Sequence, residues 1–118
     1  MYSFLLIDNF TTILDVLVFS IQKLNYKVFI ATEKEKIFSI LETNNIDVVL
    51  LGDKVKDTNG IELAEQILQN WHVILLMMSY SQDLNLKLKA KQAGIMGWIV
   101  KPFIPERLIK IIIKTYFK

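Results

Sequence analysis

The chain has 118 residues, of which 53% are hydrophobic and 22% charged, with four glycines, two prolines and a net charge of +2; these values fit one compact globular domain over residues 1–118. Without a single cysteine it forms no disulfide framework, Cys-ligated zinc, iron–sulfur cluster or thiol nucleophile. Apolar runs such as residues 73–78 fall well short of a membrane span, and the N-terminus lacks a basic region followed by a signal-peptide core, so a soluble, unexported, cytoplasmic protein is expected.

In chain order, Phe4-Leu5-Leu6-Ile7 reads as a first buried strand, followed by Asp8 and Asn9. Asn9-Phe10-Thr11 matches a glycosylation acceptor, which has no chemical meaning without export. Thr11 or Thr12 is placed to cap a first helix whose segment 13–19 is apolar beyond one stripe. A strand at 28–30 precedes Thr32 and Glu35, spaced as a capping box for the second helix. The third strand, 48–51, runs into Gly52 and Asp53, and Asn59 caps a third helix over 60–71. Trp71 and His72 are packing residues at the helix-to-strand junction; one histidine without paired ligands makes neither a metal site nor a triad. A fourth strand at 73–78 leads to Ser79 and Tyr80. Segment 84–91 alternates apolar and polar with period two, yet a crossover between parallel strands and its good helix formers predict a helix ended by Gly94. The fifth strand, 98–100, leads to Lys101, and Pro105 with Glu106 suits the first turn of a last helix.

Five apolar strands alternating with helices predict a doubly wound (βα)5 sheet of parallel strands, with functional groups at the strands' carboxyl ends. The residues gathered there are Asp8, Asn9, Gly52, Asp53, Ser79, Tyr80 and Lys101. Segment Ala93-Gly94-Ile95-Met96-Gly97-Trp98-Ile99-Val100-Lys101-Pro102-Phe103 resembles the A-G-A-x-x-[YF]-[ILV]-x-K-P-F block of the response-regulator receiver family, to which the single-domain chemotaxis regulator belongs. Ser79 stands at that family's switch position, and 47–63 follows its third-strand block without a gap. The resemblance implies a flavodoxin-like fold with five parallel strands in the order 2-1-3-4-5, and a role in two-component signalling.

It also implies what an active site needs: an acceptor carboxylate on the third strand, two acids after the first strand for Mg²⁺, a lysine and a hydroxyl. Lys101, Ser79 and Asp8 match, but the second acid is Asn9, the acceptor position is Gly52, the loop proline is Lys56 and the acid before the glycine is Asn59. The expectation is therefore a degenerate, non-enzymatic pseudo-receiver with no cofactor, no metal site beyond residual Asp8 and weak or absent Mg²⁺ binding. Asp53 is the rival acceptor, although a one-residue offset turns it away from the site unless Gly52 forms a bulge. Asp8 and Lys101 are expected to neutralise each other; the alternative is a small-anion pocket made by Lys101, Ser79 and backbone N–H groups.

In the family, the switch hydroxyl works through an aromatic residue on the fifth strand, here Trp98, to the face formed by the fourth helix, fifth strand and fifth helix. On the last helix Leu108, Ile112 and Tyr116 suffice to cover the sheet, leaving Ile109, Ile113 and Phe117 as a second stripe for a protein partner or homodimer. Charge is uneven: residues 1–82 carry six basic and ten acidic side chains, residues 83–118 eight basic and two acidic. Lys87, Lys89, Lys91, Arg107, Lys110, Lys114 and Lys118 give nucleic-acid binding as a minor alternative, with no helix-turn-helix, stacking motif or phosphate loop behind it.

Overall fold

The computed structural model describes residues 1–9 and 11–117. Phe10 and Lys118 lie outside the described residues, and with them the Asn9-Phe10-Thr11 match and the last lysine of the basic set. The five apolar runs form the parallel strands β1 (Ser3–Ile7), β2 (Lys27–Ile30), β3 (Val48–Gly52), β6 (Ile74–Ser79) and β7 (Gly97–Val100). They are joined by helices α1 (Thr11–Lys23), α2 (Lys34–Thr43), α3 (Gly60–Asn70), α4 (Leu84–Gln92) and α5 (Pro105–Tyr116). The sheet order β2-β1-β3-β6-β7 is the expected 2-1-3-4-5, since β4 (Lys54–Val55) and β5 (Thr58–Asn59) form a separate short antiparallel hairpin. That hairpin was not foreseen, because two-residue strands carry no periodicity.

Strand pleating divides the interior into two apolar layers. Leu5, Ile7, Val49, Leu51, Leu75 and Met77 meet α2, α3 and α4, while Phe4, Leu6, Val48, Leu50, Leu76 and Met78 meet α1 and α5. The inner strands are almost wholly buried; β2 and β7, at the edges, are part-exposed although equally apolar in sequence. An apolar run therefore identified the strand but not its place in the sheet.

Several local expectations hold: Asn59 accepts from the N–H groups of Ile61 and Glu62, Pro105 opens α5, and Gly94, at φ +96°, ends the α4 turn in the left-handed region. Segment 84–91 is helical, tertiary context overriding its period. Two expectations fail. Thr11 and Thr12 lie within α1 as its first residues, and the Thr32–Glu35 capping box does not form. There α2 begins only at Lys34, and its cap residue, Glu33, turns its carboxylate to Lys56 instead of to the helix end.

The last helix corrects the interface expectation. Ile109 is 0% exposed, and Ile113 and Phe117 are part-buried on the same layer as Leu108, Ile112 and Tyr116, with the Phe117 ring 4.2 Å from that of Tyr2. Because α5 lies in the angle between the sheet and α1, its apolar arc is wide: Ile109 belongs to the core, and Ile113 and Phe117 pack against it part-buried. Glu106 ties the two helices by pairing with Lys110 at 3.3 Å and Lys23 at 3.6 Å. Its carboxyl is held below the usual glutamate range first by the hydrogen bond from Lys110 and then by the charge of Lys23. The apolar side chains that α5 and the turn before it expose are Ile111 and Ile104. Ile109→Ala should cost about 2–5 kcal/mol in denaturant unfolding, whereas Ile111→Ala should stay within about 0.5 kcal/mol of the parent.

Candidate functional site

Parallel strands bring their carboxyl ends to one edge, so Asp8, Gly52, Asp53, Ser79 and Lys101 emerge together. Register decides which of them touch. Ile7 pairs Leu51 and Gly52 pairs Met78, so the next residues in line are Asp8 beside Gly52 and Asp53 beside Ser79, and successive residues point to opposite faces.

On the α1/α5 face, the Lys101 Nζ donates to Asp8 Oδ2 at 2.7 Å, with only 2% and 1% of the two side chains exposed. The Tyr80 ring centroid lies 5.4 Å from the same ammonium. A Cβ on Gly52 would stand 3.0 Å from both Cγ and Oδ2 of Asp8, closer than ordinary van der Waals contact. The Asp8 carboxylate thus fills the space that a side chain at position 52 would need. As expected, the two charges neutralise each other, and Lys101 and Ser79 are both engaged within the protein rather than lining an open anion pocket.

On the opposite face, Ser79 Oγ donates to Asp53 Oδ2 at 2.6 Å. This corrects the expectation that Asp53 turns away from the site. It does leave the face of Gly52, with β3 in unbroken register and no bulge, but the face it enters is the one that holds Ser79. The Asp53 backbone continues the ladder, its N–H donating to the carbonyl of Met78 at 3.1 Å and its carbonyl accepting from the N–H of Gly60 at 2.8 Å. Gly60 is required by that approach, since a Cβ there would come within 2.5 Å of the Gly52 carbonyl oxygen. From Ser79 the contacts continue: Ser81 N–H donates to Ser79 Oγ at 3.0 Å, and Trp98 Nε1 donates to the Ser81 carbonyl at 2.9 Å.

Asn9 binds the β4 loop through both ends of its amide. Nδ2 donates to the Lys54 carbonyl at 3.1 Å, and Oδ1 accepts from the N–H of Lys56 at 2.9 Å, where Lys56 is held at φ 55°. An ionised carboxylate is acceptor-only and could make the second bond but not the first. The donor set does not suit a hard divalent cation: position 52 offers no side chain, Asn9 is spent on the loop and Asp8 on Lys101. Among the described residues no three His, Cys, Asp or Glu side chains cluster as metal ligands. Ser81 and the Lys54 carbonyl escaped the sequence reading because they act through backbone groups, which leave no residue-type signature.

A family model described as the response regulator receiver domain matches residues 4–113. The chain is 30% identical over 110 residues to the putative two-component response regulator ARR21 of Arabidopsis thaliana, covering 91% of this chain and 18% of that protein. It is 24% identical over 115 residues to the heme response regulator HssR of Staphylococcus saprophyticus, covering 95% of this chain and 51% of that one. The chain therefore spans about half or less of the length of these relatives. Among solved structures, a two-component response regulator from Clostridium difficile superposes with a TM-score of 0.90 at 19% identity, covering 97% and 94% of the two chains. The Vibrio cholerae chemotaxis protein CheY4 gives 0.86 at 24%, covering 97% and 98%. At such identities the structural likeness speaks for the fold alone.

Removing one partner of the buried pair leaves the other charge stranded. Lys101→Met should destabilise by about 3–5 kcal/mol, and the double change Asp8→Asn with Lys101→Met should recover a large share of that loss, as read from denaturant midpoints.

Proposed function

The chain belongs to the response regulator receiver family, and from that premise we propose that it is a pseudo-receiver, without phosphoryl turnover, that signals by protein contact. The observation that carries this reading is Gly52, which stands in unbroken register opposite Met78 with the carboxylate of Asp8 against it. A glycine there gives no side-chain oxygen for a phosphoryl group or a metal. The neutral amide at Asn9, its oxygen engaged by the Lys56 N–H, supports the same reading for Mg²⁺, whose sites rely on carboxylates, and no cofactor is required.

The second reading, phosphoryl acceptance at Asp53, draws support from the contact with Ser79, which puts this carboxylate beside the hydroxyl of the switch position. Incubation with a small acyl phosphate and Mg²⁺ separates the two. The pseudo-receiver should show no mass increase of one phosphoryl group and no Mg²⁺ binding in calorimetry, while a phosphoryl adduct on Asp53 would overturn it.

For the contact surface, the face made by α4, β7 and α5 is the strongest candidate. Among the described residues β7 is an edge strand paired to β6, and Leu84 and Leu88 of α4, Met96 and Val100 at β7, and Ile104 and Ile111 at α5 are exposed. Lys87 and Lys91 line a groove with Met96 and Trp98, and Arg107, Lys110 and Lys114 line another with Ile104 and Ile111, so apolar ground and positive charge lie side by side, as at an interface with an apolar centre and a polar rim. A protein partner or a second copy of the chain suits it better than nucleic acid, for which exposed aliphatic side chains have no use. None of the helices among the described residues is long and apolar enough to cross a membrane, in keeping with a cytoplasmic setting. Ile104→Glu and Val100→Glu should weaken self-association in sedimentation, or abolish capture of an acidic partner, with the fold intact; a salt-dependent shift of mixed-sequence DNA without self-association would favour nucleic acid instead.

A further inference from the structure

We propose that the hollow between the C-terminal ends of α2 and α3 is a binding site for the guanidinium group of an arginine side chain presented by a protein partner. It lies at the amino edge of the sheet, where the helices that cross between parallel strands end, and so at the far edge from Gly52. The pseudo-receiver reading therefore does not bear on it. Phe38, Glu42, Asn70 and Trp71 line the hollow, around a volume of about 480 Å³.

Phe38 and Glu42, four residues apart on α2, are neighbours on one helix face, while Asn70 is the last residue of α3 and Trp71 its cap. The Phe38 and Trp71 rings stack, their centroids 5.7 Å apart and their planes 19° from parallel. Both are half-buried: they pack on the core beneath and keep ring surface toward the hollow. Glu42 is exposed, and among the described residues it pairs with no cation. Asn70 spends its amide nitrogen on the Gln66 carbonyl at 3.1 Å, which leaves Oδ1 as the acceptor it can offer a ligand. Neither helix carries a basic residue in its last turn, so the partial negative charge of two helix ends adds to that of the carboxylate.

This lining selects by chemistry. An anion is repelled by Glu42 and by both helix ends, and an apolar ligand would strip water from the carboxylate without pairing it. A guanidinium meets each demand: its plane stacks on an aromatic face, its N–H fork pairs a carboxylate two bonds at a time, and it gives up water more readily than an ammonium does. A lysine brings the charge but has no plane to stack.

Trp71 is itself the reporter. In a Trp98→Phe parent it is the one remaining tryptophan, and its indole N–H resonance in the unsubstituted chain gives the same reading without that change. A capped tripeptide with arginine at its centre, titrated at low salt, should change Trp71 emission saturably; the lysine peptide should bind more weakly, and the peptide with citrulline, arginine's neutral isostere, should not bind. Glu42→Gln, at an exposed position that leaves the fold intact, should weaken the arginine peptide about tenfold. No saturable change, equal binding of the lysine or citrulline peptide, or an unaltered affinity in Glu42→Gln would each overturn the proposal. The chain's one arginine, Arg107, is exposed on α5. Self-association in sedimentation that is lost in both Arg107→Gln and Glu42→Gln would make a second copy the occupant and overturn the assignment to a separate partner.

Discussion

The ion pair between Asp8 and Lys101 is the constraint around which the carboxyl edge of the sheet is built. Its members come from either end of the chain, 93 residues apart, and meet at 2.7 Å with almost no exposure. Two charges withdrawn from water are costly unless their geometry is good and their remaining lone pairs and protons are satisfied; among the described residues no buried side-chain nitrogen or oxygen lacks a hydrogen-bond partner. The absence of a Cβ at residue 52 leaves the carboxylate room, since a Cβ there would press on it from 3.0 Å. Gly52 thus suits the carboxylate packed against it.

The pleat of the sheet then separates the site into two halves that a sequence alignment places side by side. Asp8, Gly52 and Lys101 share the face toward α1 and α5; Asp53, Ser79 and Trp98 share the face toward α2, α3 and α4. Each half satisfies its own charges, one as an ion pair and the other as a carboxylate with a hydroxyl. Because Lys101 and Ser79 answer to different carboxylates, nothing requires a bound anion to hold them together.

Most of the fold was legible because its signals are local and strong: continuous apolar runs for strands, Asn59 and Pro105 at helix starts, Gly94 at a helix end. The misses share one physical cause, which is that local patterns do not report neighbours. The capping box at Thr32 was a sound spacing, but α2 begins at Lys34 with Glu33 as its cap residue, whose carboxylate pairs with Lys56. The width of the buried arc on α5 depends on α1 lying beside it, so Ile109 and Phe117 could not be sorted from Leu108 and Tyr116 by spacing. Asp53 was placed on the correct face by period two, but which groups occupy that face follows from the register of β3 with β6, which the sequence does not state.

Asn9 shows how one side chain can fasten a loop to the edge of the sheet: its carboxamide both donates and accepts, at Lys54 and Lys56. Restoring a carboxylate at position 9 would lose the donor and set a negative charge facing the Lys54 carbonyl. A side chain at position 52 would press on Asp8, which would have to give by a few tenths of an ångström. The two departures from the family pattern are therefore coupled to their surroundings separately, and reversing either alone meets resistance from contacts already made. Fold is kept and function is set by the site: in this chain Asp8 with Lys101, and Asp53 with Ser79, tie the carboxyl edge of the sheet together.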